Sequence, residues 1–212
     1  MHAQALVIEP PIKGQWTIYN PPGHPPLAFD FLAVDERKSL YRRGGFLRHL
    51  VSFIPVADTL AWSCPVFSPV DGVVVASHDG EQDRTSICFV YDLLSLLIGK
   101  PKETAGFGAF GGNHVMIRAG DSFVLLCHLK RGSVQVGNGE TVKAGRQVGE
   151  VGNSGSSIQP HLHVQVMSND RYFPLYGNLV PFRFSHGKLR QDGNWSEQQD
   201  LILENRRHYL FE

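Results

Sequence analysis

Two histidines separated by one residue carry the strongest chemical signal in the sequence. His161 and His163 lie in the segment 160–166, which follows the glycine- and serine-rich stretch 152–157. If this segment is a strand, both side chains project to the same face, about 6.5–7 Å apart along the strand. One imidazole can then bind a metal ion while the other contacts a water molecule on the metal. The alternative is a pair of solvent-facing histidines on an edge strand.

Three further residues are candidates for the same centre. His128 ends an apolar run, a position where a lone histidine is more often a hydrogen-bonded structural residue. His24 and Asp30 lie in a proline-rich segment, which is alternatively an entry loop with an incidental histidine. Hydrolytic zinc sites use three nitrogen or oxygen ligands and leave the fourth position to water. His24, Asp30 and His163 would supply that set.

Short strands are the elements that must position these residues. Brief apolar runs are separated by many of the 22 glycines and 13 prolines, which is typical of strands joined by tight turns. The sequence therefore predicts an all-β core, with strands within 72–77, 114–118, 122–127, 145–151 and 161–167.

Two segments and the tail depart from this strand pattern. Apolar residues at spacings of three and four predict a partly helical insertion at about 36–62. A leucine-rich run followed by glycines predicts a flap or long loop as a second insertion at about 92–112. We expect one β domain over residues 1–180 and a polar tail, 181–212, packed on it.

The bulk composition limits the classes of partner. The 212 residues include 42% hydrophobic and 19% charged residues, as in ordinary globular chains. Lys+Arg and Asp+Glu both total 20, so no net field attracts nucleic acid or an anionic membrane, and any partner must be recognised by a local site. Three widely separated cysteines predict packed thiols, with one disulfide as the alternative.

The location and the oligomeric state are left open by the sequence. No run approaches the ~20 apolar residues that cross a bilayer, so no transmembrane segment is predicted. Residues 1–13 lack the features of a secretory signal. The expectation is a cytoplasmic protein, or one of the cell envelope, periplasm or exterior if a signal was removed. The oligomeric state is not predicted.

The order of the motifs resembles the lysostaphin-type, or LytM-like, zinc endopeptidases of bacterial cell walls. That family has a histidine shortly before an aspartate, a strand ending in His-Leu, and a late H-x-H after a Gly/Ser-rich turn. All three occur here in this order. The resemblance covers roughly residues 20–167, and the connecting segments that also match are 65–74, 112–117, 136–145 and 149–155.

The resemblance implies a fold, an activity and a set of roles. The fold is an antiparallel β-sandwich or barrel-sandwich hybrid (the duplicated hybrid motif). The activity is zinc-dependent hydrolysis of peptide bonds in peptidoglycan stem peptides or cross-bridges. His24, Asp30 and His163 would be the zinc ligands, and His128 and His161 would flank the metal-bound water and the substrate carbonyl. One of these two would be the general base and the other would stabilise the oxyanion, in an order that stays open.

Some positions carry alternatives. The spacing from His24 to Asp30 is wider than the family's, and Asp35 is a weaker rival for Asp30. Asn113 and His114 are candidate substrate-binding residues. Asn113 could instead cap a turn, and His114 could be a groove-wall or core residue.

Two other classes of function fit parts of the pattern. A non-catalytic LytM-like scaffold or regulator, binding cell-wall peptides or an enzyme partner, would keep the fold, but the complete set of polar positions favours an enzyme. Segment 142–145 is also similar to lipoyl- or biotinyl-carrier hairpins, and histidine phosphocarriers use related folds. A lipoyl or biotinyl carrier needs a lysine at an exposed hairpin tip, and no suitable Met-Lys or Asp-Lys tip occurs in the sequence. A phosphocarrier needs no metal-binding aspartate, so Asp30 argues against that class.

Overall fold

The computed structural model describes residues 5–21, 24–98, 106–173 and 178–212. The strands are β1 (Leu6–Ile8), β2 (Gly14–Ile18), β3 (Ala28–Ala33), β4 (Ile54–Pro55), β5 (Pro65–Phe67), β6 (Gly72–His78), β7 (Ser86–Ile87), β8 (Asn113–Ala119), β9 (Ser122–Leu129), β10 (Thr141–Val142), β11 (Gln147–Glu150), β12 (Leu162–Met167), β13 (Phe182–Gln191), β14 (Asn194–Leu201) and β15 (His208–Phe211). The α-helices are α1 (Phe46–Val51), α2 (Phe89–Ile98) and α3 (Gly108–Gly111), and Val56–Asp58 forms a 3₁₀ turn.

One large sheet organises the chain. Its order is β1-β13-β15-β2-β3-β12-β9-β8-β6-β10, and β14 pairs with β13 outside this path. The neighbouring strands are antiparallel except for the parallel pair β1 and β13. Two small sheets, β5 with β11 and β4 with β7, complete the fold. The predicted all-β fold is confirmed.

Alternation along the strands separates a core face from a functional face. On β3, Phe31 is fully buried in the main hydrophobic cluster, as are Val164 on β12 and Leu126 on β9. Burying each such side chain contributes about 1.5–3 kcal/mol to folding. Because side chains alternate across a strand, Asp30 and His163 project from the opposite face. The core residues therefore set which way the polar residues point.

The helical insertions agree only partly with the predictions. The partly helical insertion at 36–62 is confirmed by α1. The prediction of a loop for 92–112 is wrong at its start, which lies within α2, and near its end, which forms α3. The Asp92 carboxylate accepts the Cys88 backbone N–H at the start of α2 (3.0 Å) and pairs with Arg84, and leucine favours a helix. Residues 99–105 of this insertion lie outside the described residues.

The chain after residue 180 continues the large sheet. β13 pairs with β1, and β15 pairs with β2, so these strands lie beside the first strands of the chain. The division of the chain at residue 180 stays a prediction. Cys64, Cys88 and Cys127 are free thiols, as the sequence indicated. Within the described residues, no helix has the length and apolar character needed to span a bilayer.

Candidate metal centre

Strand pairing places two of the candidate ligands side by side. In the antiparallel pair of β3 and β12, Asp30 lies directly opposite His163. Residues in such positions have Cβ atoms about 4.5–5.5 Å apart and share a face of the sheet. The His163 Nδ1 atom is accordingly 2.8 Å from Asp30 Oδ1. This contact follows from the register of the two strands.

His24 reaches the same point from the loop before β3. The His24 backbone N–H donates to the Pro21 carbonyl (3.0 Å), and the Ala28 N–H donates to the Pro25 carbonyl (3.2 Å). These turns fold the proline-rich segment back, so that His24 Nε2 lies 3.1 Å from Asp30 Oδ1. The loop therefore accommodates the wide spacing between His24 and Asp30 in the sequence.

Hydrogen bonds on the far side of each ring orient both histidines for metal binding. His24 Nδ1 lies 3.0 Å from the Pro25 carbonyl, which can only accept, so Nδ1 carries the hydrogen. His163 Nε2 donates to the Gln165 amide oxygen at 3.0 Å. His24 Nε2 and His163 Nδ1 are thus left as lone-pair atoms, 3.3 Å apart. Metal-bound histidines are commonly held in this way by an outer hydrogen bond.

Three lone-pair atoms converging on one point favour a cation between them. The candidate ligand atoms of His24, Asp30 and His163 all lie within 4.8 Å of one another. The side chains are 9–14% exposed, so water does little to screen their mutual repulsion. Zinc accepts two imidazoles and a carboxylate at about 2.0–2.2 Å, which separates neighbouring ligand atoms by roughly 3.3 Å in a tetrahedral site. The three residues therefore fit zinc in donor type and separation.

His128 and His161 lie beside this cluster. Their ring centroids are 4.6 Å apart, and His161 Nε2 is 3.5 Å from Asp30 Oδ1. His128 Nδ1 donates to the Ser154 carbonyl (2.9 Å), and His161 Nδ1 donates to the Gln159 carbonyl (2.8 Å). Each ring therefore has Nε2 as its remaining nitrogen. The structure brings together all five polar residues that the sequence singled out.

The electrostatics of the cluster separate its members. Burial would raise the pKa of the Asp30 carboxyl, but the charge of His161 and the contact of this histidine with the carboxylate hold this pKa well below its ordinary value. Burial and the charges of His161 and His163 hold the pKa of His128 well below its ordinary value. Burial opposes charge on His161 too, yet the Asp30 carboxylate raises the pKa of this histidine. An ionised carboxylate therefore lies near two histidines whose pKa values are shifted in opposite directions, that of His128 downward and that of His161 upward.

A tight approach of two loops supports His128. His128 itself has φ of 60°, a left-handed conformation that costs of order 1 kcal/mol or more in a residue with a side chain. Gly112 has φ of +63°, and a Cβ added there would lie 2.3 Å from Ser154 Oγ. Gly155 has φ of +67°, and its added Cβ would lie 2.4 Å from the Gly112 nitrogen. Only glycine fits these two positions, which let the Ser154 carbonyl reach His128.

The two candidate substrate-binding residues are buried. Asn113 is fully buried, and its amide bonds the backbone of Glu81 and the Leu129 carbonyl. His114 Nδ1 donates to the Gly112 carbonyl (2.8 Å), and its Nε2 lies 2.9 Å from the Tyr172 hydroxyl. These contacts hold the first residues of β8 in place. Direct contact of either residue with a substrate stays a prediction.

Supporting residues were missed in the sequence. Gln165 fixes His163, and Asn20 accepts the Asp30 backbone N–H through Oδ1 (3.1 Å). Gln165 could have been found, since it follows His163 by two residues and so shares its face of the strand. Asn20 carried no such signal. The rival aspartate, Asp35, lies in a turn, where its carboxylate accepts the backbone N–H groups of Arg37 and Ser39.

A cavity of about 420 Å³ lies next to β3, and none of the five polar residues of the cluster lines it. Leu32 lines it and follows Asp30 by two residues on β3, so these two side chains share a face of the strand. Gln159, whose carbonyl fixes His161, also lines it. Lys38 and Arg206 are basic members of a largely apolar wall, and no acid is among the described residues that form it.

Comparisons with known proteins agree with the motifs. Residues 97–174 match the family described as peptidase family M23. The chain is 35% identical over 68 residues to peptidoglycan DD-endopeptidase ShyC of Vibrio cholerae serotype O1. That match covers 32% of this chain and 15% of ShyC, so the chain spans only a small part of this relative.

Two solved structures show the extent of the structural likeness. The catalytic domain of lysostaphin from Staphylococcus simulans is 18% identical, with a TM-score of 0.41 over 75% of this chain and 83% of that one. A variant of the catalytic domain of the prophage-encoded M23 protein EnpA from Enterococcus faecalis is 18% identical, with a TM-score of 0.43 over 84% and 93%.

The matched segment contains His128, His161 and His163, whereas His24 and Asp30 precede it. The first two ligand candidates are therefore placed by the tertiary structure and not by the family match. The resemblance to the lysostaphin-type peptidases is confirmed over residues 97–174, the stretch that matches peptidase family M23.

Proposed function

We propose that the chain is a zinc-dependent endopeptidase that hydrolyses peptide bonds of peptidoglycan stem peptides or cross-bridges. The observation that carries the proposal is the convergence of His24 Nε2, Asp30 Oδ1 and His163 Nδ1 within 4.8 Å. Outer hydrogen bonds direct both imidazole lone pairs to the same point. Such an arrangement is costly in a weakly exposed site unless a cation offsets it.

His24, Asp30 and His163 would hold the zinc ion. When bound, zinc activates water and polarises a carbonyl at neutral pH. His128 and His161 flank this position, each with Nδ1 held by a backbone carbonyl and Nε2 free to accept or donate a proton. We assign the general base and the oxyanion donor to this pair. Asp30 also orients His161 through its 3.5 Å contact.

The substrate class is supported by the relative and by the family match. ShyC is a peptidoglycan DD-endopeptidase by name, and the match to family M23 includes three of the five site residues.

Metal analysis beside a cleavage assay tests the proposal. Wild-type protein, His163→Ala and Asp35→Asn would be purified, analysed for zinc by mass spectrometry, and incubated with purified peptidoglycan. Wild type should hold about one zinc per chain and release peptides with new amino and carboxyl ends. His163→Ala should lose both properties. Asp35→Asn, outside the cluster, should keep both.

The outcomes separate the candidate functions. Absence of both zinc and cleavage in the wild type would rule out the proposal. Stoichiometric zinc without cleavage of any wall peptide would favour the non-catalytic scaffold instead. Circular dichroism of His163→Ala distinguishes loss of the ligand from loss of the fold.

A further inference from the structure

Two short helices leave a group of large apolar side chains in solvent. Eleven large hydrophobic residues are exposed in the described part of the chain. Seven of them lie on α1 and α2, and an eighth is Phe53, shortly after α1. Leu47 is 79% exposed and Val51 is 73% exposed. We call this group the apolar face: Phe46, Leu47, Val51, Phe53, Val90, Tyr91, Leu93 and Leu94.

The apolar face is continuous across the two helices. The rings of Phe46 and Phe89 lie 5.9 Å apart, and those of Phe53 and Tyr91 lie 5.3 Å apart. Monomeric soluble proteins rarely expose large contiguous apolar patches, and such patches mark surfaces that bind a protein or a membrane. Scattered apolar residues would need no such explanation, but these belong to one packed pair of helices.

The segment that contains α1 carries positive charges. Segment 37–57 contains five lysines and arginines and no aspartate or glutamate, although the whole chain has 20 of each sign. Arg42, Arg43 and Arg48 are exposed. The acid of α2, Asp92, is 2% exposed and pairs with Arg84. In the described residues, the arginines that form ion pairs are Arg84, Arg146, Arg183 and Arg207. Arg43 and Arg48 are therefore not paired with an acid in this part of the chain.

We propose that the apolar face docks on the surface of an anionic lipid bilayer. Exposed leucine, valine and aromatic side chains suit the boundary of headgroups and acyl chains, and neighbouring arginines suit lipid phosphates. The phenylalanines and the tyrosine of the apolar face are side chains that interfacial helices and membrane-interface belts use. A second copy of the chain is a poorer partner, because a two-fold interface would bury the same basic patch of both copies and so bring charges of one sign together.

The proposal does not depend on the metal centre or on catalysis. Zinc binding involves residues of β3, β12 and the loop before β3, whereas the apolar face belongs to the insertions. The net charge of zero excludes a long-range attraction of the whole chain to membranes, but a local patch acts within about one Debye length, near 10 Å at 0.1 M salt.

Vesicle co-sedimentation tests the proposal directly. The full chain would be mixed with vesicles of phosphatidylcholine alone, or of phosphatidylcholine with one third phosphatidylglycerol. Leu47→Ser with Val51→Ser removes apolar contacts, and Arg43→Glu with Arg48→Glu reverses the charge. Matched controls are Ile202→Ser and Arg131→Glu, which change exposed residues elsewhere.

We expect binding to the anionic vesicles that weakens with salt. Each double variant should lower the partition coefficient about tenfold or more, and both controls should bind as wild type does. Failure of the wild type to sediment with anionic vesicles would overturn the proposal, as would equal binding by all variants. A concentration-dependent dimer abolished by Leu47→Ser with Val51→Ser, detected by light scattering, would also overturn it, since a second copy would then cover the face.

Discussion

The metal-ligand cluster and the apolar face use their side chains in opposite ways. In the cluster, strand pairing sets Asp30 opposite His163, and backbone or amide groups hold the outer nitrogen of every histidine. On the apolar face, the side chains project from two short helices into solvent. The proposed chemistry therefore rests on residues held by many contacts, while the proposed docking surface lies on two short helices.

The largest expected effect is on zinc affinity. Asp30→Asn replaces the anionic ligand candidate with a neutral amide of the same size. We expect zinc affinity to fall by more than the roughly 10–100-fold typical of a lost outer hydrogen bond. Competition with a chromophoric chelator measures this affinity. Unchanged affinity would show that Asp30 is not a ligand, and the contrast between the two regions would lose its basis.

Gln165 should have an effect of intermediate size. Gln165→Leu removes the oxygen that accepts the His163 Nε2–H, so His163 is no longer held in the tautomer that presents Nδ1. We expect zinc affinity to fall about 10–100-fold. Gln165→Glu keeps an acceptor oxygen and should retain affinity. Equal losses in both variants would indicate a packing effect and not control of the tautomer.

The loop contact behind His128 should affect stability. Gly112→Ala places a Cβ 2.3 Å from Ser154 Oγ, whereas Gly120, with φ of +60°, has open space around it. Both variants incur left-handed strain of about 1–2 kcal/mol. Gly112→Ala should lose roughly 1–3 kcal/mol more, through overpacking. Denaturant unfolding of the metal-free proteins measures the difference, and equal losses would contradict a close approach of the two loops.

Acid should destabilise the metal-free protein through buried histidines. Burial lowers the pKa of His49 and of His114 in the folded state. The unfolded chain therefore binds protons first, and the free energy of unfolding should decrease as the pH falls below about 6.5. Each histidine adds a slope of at most about 1.4 kcal/mol per pH unit. Unfolding curves recorded at about five pH values between about 7.5 and 5 measure this slope.

A substituted histidine supplies the control for this pH dependence. His114→Gln removes one of the titrating groups, so its unfolding free energy should vary less steeply with pH than that of the wild type. The same slope in both proteins would mean that His114 does not contribute.

The smallest effect is expected on the apolar face. Leu47→Ser and Val51→Ser should each change the free energy of unfolding by no more than about 0.5 kcal/mol, because these side chains have few contacts to lose. Zinc affinity should stay that of the wild type. A loss of several kcal/mol would show that the helices are part of the core, and the two regions would no longer be distinct.

The predictable part of the site follows from the period of strands. His161 and His163 were placed on one face by alternation alone, and the structure has them on that face. The prediction of a loop is wrong for residues 92–98, which lie in α2, because a leucine-rich run followed by glycines suits either a loop or a helix. The interaction that favours the helix, between Asp92 and Arg84, joins residues whose partnership has no signature in the sequence.

The sequence by itself determined an all-β core and a partly helical segment, since these depend on local composition and period, and the resemblance of its motifs to a known family singled out five polar residues. Only the tertiary structure decided that His24 meets His163, 139 residues away, and that both meet Asp30. The physical reason is that long-range contacts depend on the register of β3 against β12 and on the turns before β3. Exposure of the apolar face was likewise a tertiary result, because the same apolar periodicity would serve a helix buried against the sheet.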